Sequence, residues 1–128
     1  MCLGSVVRPY EENNLMGASY MMLSFCFITF FFSKSITIPS MIILSLADTF
    51  AAIFGLSYGK TNILNNKTLE GSMIFMVTTI IILTSLDISL LSLLIISFII
   101  TLTEHVSSAK YDNFTVPIIS ATALHFLL

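Results

Sequence analysis

Long apolar runs separated by short polar clusters define this chain. Apolar residues dominate from Leu15 to Phe32, from Ile36 to Leu56, from Gly71 to Leu86 and from Ile88 to Thr103, and a last apolar segment follows Pro117. Runs of this kind, near the ~20 residues that cross a bilayer, are the pattern of membrane helices. They predict an all-α fold, a polytopic transmembrane helix bundle forming a single integral membrane domain over residues 1–128. About four full membrane helices are expected, near 15–32, 36–56, 71–86 and 88–103, with a short C-terminal apolar segment near 117–128. That last segment is too short for a full crossing.

The second run has a patterned face. Pro39 falls in its first turn, where proline is tolerated. Asp48 is its one charged residue, and Ala51, Ala52 and Gly55 follow it at helical spacing, on the same face. A small, polar face packs inward, so bulky Ile42, Ile43, Leu46, Phe50 and Phe54 are expected toward lipid. Near the start of the first run, Gly17, Ala18 and Ser19 allow close helix packing.

Composition narrows the class. Hydrophobic residues make up 56% of the chain and charged residues only 9%, against about 25% charged in soluble domains. So few charges cannot cover a water-soluble globule. Net charge is −2, and without a basic patch no nucleic-acid partner is expected. Cys2 and Cys26 suggest neither a disulfide framework nor a metal pair. Met1 to Asn14, with Arg8, Glu11 and Glu12, is not patterned as a cleavable signal peptide.

Charge placement points to one membrane face. With alternating helices, the N-terminus, the 57–70 connection and the loop around Lys110 share a side. Arg8, Lys60, Lys67 and Lys110 lie there and only Lys34 lies opposite, so the positive-inside bias predicts that side to be cytoplasmic. Glu11, Glu12, Glu70 and Asp112 share it, Asp48 lies in the nearer half of its helix and Glu104 at the near end of its own, leaving Asp87 opposite. Carboxylates gathered without clustered cysteine or histidine are hard oxygen ligands suited to Mg²⁺, which takes one or two of them plus substrate phosphates. Neighbouring lysines neutralise phosphate charge, and Gly55 and Gly59 permit close backbone approach. The residues alone fit transport or scaffolding as well, because intramembrane carboxylates also mark ion pathways.

Four blocks in order carry a more specific signal. They are Asp48, Ala51, Ala52, Gly55, Gly59 and Lys60; Lys67, Thr68, Glu70 and Gly71; Glu104; and Asp112, Asn113, Val116 and Pro117. In this order and spacing the chain resembles the polyprenol kinase family, which contains dolichol kinase, phytol kinase and CTP-dependent diacylglycerol kinase. The resemblance runs from about Arg8 to the end. It implies a membrane lipid kinase moving a phosphoryl group from CTP, or ATP, to a lipid alcohol such as an isoprenoid alcohol or diacylglycerol. On that resemblance Asp48 and Glu104 are catalytic, Glu104 orienting or deprotonating the lipid hydroxyl. Asp48, Glu70 and Asp112 hold Mg²⁺, and Gly55, Gly59, Lys60, Lys67 and Asn113 meet nucleotide and phosphate. The implied partners are the lipid alcohol, the nucleotide and the lipid bilayer.

The resemblance has departures. Members usually carry further helices ahead of this region, so a short member or a fragment is expected, and Leu56 stands where many carry an arginine. Phosphatidate cytidylyltransferase shares a related aspartate, glycine-lysine and lysine-threonine run and is the alternative. Its glycine- and histidine-rich C-terminal stretch has no counterpart here. A non-catalytic membrane subunit is a third reading. Gly55 to Thr61 superficially resembles a phosphate-binding P-loop, but the spacing is one residue short and no strand precedes it. The sequons at Asn66 and Asn113 fall on the side expected to be cytoplasmic, where glycosylation does not occur. His105 and His125 read as packing residues and Asp87 as a solvated turn residue.

Overall fold

The structure is a computed structural model that describes residues 17–63, 66–108 and 110–128. The expected interfacial segment with Arg8, Glu11 and Glu12, the first residues of the first expected helix, and Asn65 lie outside the described residues. Five helices follow one another: α1 (Gly17–Phe31), α2 (Lys34–Tyr58), α3 (Leu69–Leu83), α4 (Leu90–Val106) and α5 (Asp112–Leu127). Among the described residues the one β-type pairing is an isolated bridge between Asn62 and Thr68, so the fold is all-helical as expected. α5 packs along α1, α4 and the N-terminal half of α2, while α3 lies against α4 and the C-terminal half of α2. α2, with 25 residues, is the one described helix both long and apolar enough to cross a membrane; at 1.5 Å per residue it spans about 37 Å. α1, α3 and α4 are shorter apolar helices.

α2 changes phase halfway. Ile36, Ser40, Ile43 and Ala47 form its buried stripe. In an uninterrupted helix Phe50 and Phe54, each seven positions further on, would continue that stripe. Instead Phe50 is 42% and Phe54 38% exposed, and Ala51 is buried in their place. The cause is a π-helical turn at Ile43–Ala47. It inserts one residue into the ladder and rotates everything after it by about 100°. The expectation that Phe50 and Phe54 face outward therefore holds, while Ile43, also expected outward, is buried because it belongs to the earlier phase.

The fifth helix begins at Asp112 rather than after Pro117. Proline lacks an N–H, so the Asn113 carbonyl loses its donor four residues on. The buried Ser24 hydroxyl of α1 lies 3.0 Å from that oxygen and 2.8 Å from the Met21 carbonyl. Asn113 Nδ2 also donates to the Gly17 carbonyl at 3.2 Å. An interhelical hydroxyl thus stands in for the missing amide, and proline becomes a docking point for α1. Between α3 and α4, Thr84 Oγ1 donates to the Ile81 carbonyl and Ser85 Oγ to the Ile82 carbonyl. These bonds close α3 at Leu83, and Ser89 caps α4 by accepting the Ser92 amide. The turn is therefore wider than the single residue, Asp87, expected there.

Several buried hydroxyls satisfy themselves within their own helices and keep the bundle tight. Ser40, Ser97 and Ser120 donate to the carbonyls of Ile36, Leu93 and Val116 at 2.8, 2.7 and 2.6 Å. Small residues that bond within their own helix let neighbours approach closely. The exterior is the reverse, with Met22, Phe30 and Phe31 of α1 and Leu90, Leu91 and Phe98 of α4 exposed. An apolar exterior of this extent calls for lipid or protein cover.

The phase change has a direct consequence for stability. Ile43→Ala should cost about 2–5 kcal/mol, whereas Phe50→Leu should stay within about 0.5 kcal/mol. Reversible unfolding of both variants in mixed micelles checks the contrast.

Candidate functional site

A cavity of about 480 Å³ opens at the end of the bundle where α2 and α4 finish and α3 and α5 begin. Small-molecule sites commonly occupy about 300–1,000 Å³. Asp48 and Gly55 of α2 line it, together with Gly59, Lys67 and Thr68 of the connection, Glu104 of α4 and Asp112 and Asn113 of α5. Seven residues expected from the sequence to form a site (Asp48, Gly55, Gly59, Lys67, Glu104, Asp112 and Asn113) are thus brought together.

The connection from α2 to α3 folds back on itself. The Ile63 amide donates to the Lys67 carbonyl at 2.8 Å and the Leu69 amide to the Thr61 carbonyl at 3.0 Å. Asn66 takes a left-handed conformation, φ 60°, which asparagine tolerates better than most residues. The fold-back returns Lys67 to the cavity. Its ammonium lies 2.8 Å from Glu104 Oε1 and 3.3 Å from Asp112 Oδ2, and it also donates to the Glu104 carbonyl. Among the described residues, one ammonium therefore serves these two carboxylates.

Glu104 is only 5% exposed, and its second oxygen, Oε2, is buried with no hydrogen-bond partner. A buried carboxylate oxygen left in this state is costly unless something binds it. Asp112 opens α5, where a negative charge favours the helix dipole, and its Oδ1 accepts the Asn113 amide at 2.8 Å. Burial at this polar helix start pushes the Asp112 carboxyl above its usual range, and the Lys67 charge opposes that shift.

The glycines have a packing role. A Cβ at Gly71 would lie 3.0 Å from the Ala51 carbonyl, and one at Gly55 3.0 Å from Thr68 Oγ1. A Cβ at Gly59 would fall 2.6 Å from Thr68 Cγ2. These contacts let the C-terminal half of α2 meet the start of α3 with Thr68 wedged between them. Thr68 also caps α3, its hydroxyl accepting the Gly71 amide at 3.2 Å.

Two expected residues are placed elsewhere. Glu70 turns back to the connection, its Oε2 accepting the Thr61 amide at 3.3 Å, and it does not line the cavity. Backbone amides, its own first, hold its carboxyl below the usual range at this exposed helix start. Lys60 is exposed and also outside the cavity lining. Residues the sequence pattern did not assign to the site include Asn62, Asn66 and Ser72, which line the cavity, with Ser72 Oγ 3.0 Å from His105 Nδ1. The step from Glu104 to His105 was the available signal for that pair. Among the described residues no three His, Cys, Asp or Glu side chains cluster closely enough to hold a metal by themselves.

These features define a class, a helix bundle with an acidic, lysine-bridged cavity at one end. The comparisons with known proteins agree with the resemblance carried by the four sequence blocks. The chain is similar to a CTP-dependent diacylglycerol kinase of Eremothecium gossypii, 29% identical over 98% of this chain and 48% of that protein. It is similar to the CTP-dependent diacylglycerol kinase of Saccharomyces cerevisiae, 36% identical over 55% of this chain and 25% of that protein. An uncharacterized protein of Rickettsia prowazekii is 35% identical over 60% of this chain and 39% of its own length. The chain thus spans about half the length, or less, of the curated relatives it matches. No family model matches, and neither does any solved structure.

Close packing at the glycines leads to a measurable expectation. Gly71→Ala must displace the Ala51 carbonyl, a backbone atom, and should cost about 1–3 kcal/mol. The thermal midpoint in detergent should fall, and by more than for Ala52→Gly, which creates no overlap.

Proposed function

We propose that this chain forms the phosphotransfer site of a membrane lipid kinase, taking the terminal phosphoryl group of CTP to the hydroxyl of a lipid alcohol, with diacylglycerol the leading substrate. The observation that carries the reading is the convergence of Asp48, Lys67, Glu104 and Asp112, from separate segments, on one cavity of nucleotide size. The names of two curated relatives support CTP and diacylglycerol. The apolar exterior supports a polytopic bundle in a bilayer, with α1, α3 and α4 crossing beside α2 and the cavity at the cytoplasmic face, where the lysines gather.

Mg²⁺ fits the donor set. Glu104 and Asp112 are hard oxygen donors, and the buried, unpartnered Glu104 Oε2 is the atom a cation would satisfy. Bound there, Mg²⁺ would neutralise charge on the phosphate oxygens. Lys67 would carry further positive charge to the phosphates, as a point charge on a flexible stem. Asp48 lies further from the end of α2 than Gly55 and lines the same cavity, where a lipid hydroxyl would approach from the bilayer. Its carboxylate would take the hydroxyl proton as that oxygen bonds to the terminal phosphorus and CDP leaves. Glu104, expected from the sequence to manage the hydroxyl, is engaged by Lys67 and is better suited to the cation.

Assay of the full chain in mixed micelles tests this. Label from CTP carrying a radioactive terminal phosphate should appear in phosphatidate, and Asp48→Asn should lower the rate by about a hundredfold or more. Release of diphosphate in place of CDP would instead indicate cytidylyl transfer. Retained activity in Asp48→Asn would remove that residue from the mechanism.

A further inference from the structure

We propose that the Lys67 ammonium occupies the place of a divalent cation between Glu104 and Asp112, and that Lys67 leaves both carboxylates for the nucleotide phosphates when a cation takes them. This rests on the phosphotransfer reading for its purpose, though not for its chemistry.

Three observations converge. First, Lys67 bonds Glu104 Oε1 and Asp112 Oδ2 at once, so a single charge bridges two carboxylates from different helices. Second, Glu104 is 5% exposed and its Oε2 has no partner. A lysine donating to one oxygen leaves the other unsatisfied, whereas a divalent cation with coordinated water reaches both. Third, Lys67 is carried by the folded-back connection rather than by a helix, beside the left-handed Asn66. A lysine on a four-carbon stem at such a site can shift without disturbing the bundle.

The charges favour an exchange. Among the described residues, the one ammonium bonded to both carboxylates offsets one of their two charges. A dication matches the charge of both, which frees the ammonium for an anion arriving in the same cavity. A purely structural ion pair would gain nothing from the exchange, and binding a cation would cost it the lysine contact.

Mn²⁺ alone, followed by its electron paramagnetic resonance signal, separates the two. The full chain in detergent should bind Mn²⁺ about tenfold more tightly as Lys67→Met, the scale on which one neighbouring charge acts. Glu104→Gln placed on Lys67→Met should remove the gain. Equal binding by wild type and Lys67→Met would overturn the proposal, as would a gain that survives Glu104→Gln. A second measurement uses only the wild-type chain. Mn²⁺ should speed acylation of Lys67 by an amine-reactive ester, located by mass spectrometry, and an unchanged rate would overturn the exchange. Neither measurement contains CTP or lipid, so failure of phosphoryl transfer and failure of the exchange are separable results.

Discussion

One partly buried ammonium ties the polar end of this bundle together. Lys67 comes from the connection after α2, Glu104 from the end of α4 and Asp112 from the start of α5. Without it, two carboxylates would be drawn out of water against an apolar bundle, and desolvation of each costs several kcal/mol. With it, the connection is pinned across the mouth of the cavity and the ends of α4 and α5 are tied at one level. Ser72 bonded to His105 makes a second link between α3 and α4 beside it.

A second constraint brings Asp48 to the same place. The first half of α2 buries Ile36, Ser40, Ile43 and Ala47, and a straight continuation would have turned phenylalanines inward. The π-helical turn shifts the register so that small residues, Ala51 and then Gly55, face α3. Only small residues permit the approach in which Thr68 fits between the two helices. The extra residue in the helix and the glycines after it are thus two parts of one solution, and Asp48 sits at the junction between them.

Much of this was legible in the chain. Apolar runs marked the helices, and the small face after Asp48 marked the inward side of α2, because size and spacing act locally. The grouping of Asp48, Glu104 and Asp112 at one end followed from alternating helices alone. The π-helical turn was hidden because its signal is a one-residue slip between two stripes, visible only when Ile43 and Phe50 are compared for burial. The start of α5 was hidden because Pro117 breaks a helix unless another group serves the carbonyl it orphans, and that group, Ser24, is on a distant helix. Glu70 and Lys60 share their blocks with cavity residues but turn away, since Glu70 finds backbone amides closer to hand.

The incomplete neutralisation of Glu104 and Asp112 is itself informative. A bundle selected only for stability would replace such a cluster with apolar side chains, often at no loss. Had a structural pair been wanted, a second cation or a hydroxyl facing Glu104 Oε2 would satisfy it. Thr79 and Thr101 also leave buried hydroxyl oxygens unpartnered, but a neutral hydroxyl is far cheaper to leave so than an ionised carboxylate. Of these three atoms, only Glu104 Oε2 belongs to a residue that lines the cavity. Two carboxylates sharing one described ammonium at a cavity would repel a nucleotide unless a cation accompanied it. On the proposed phosphotransfer reading, the same arrangement that costs stability in isolation would become favourable when metal and phosphates entered together.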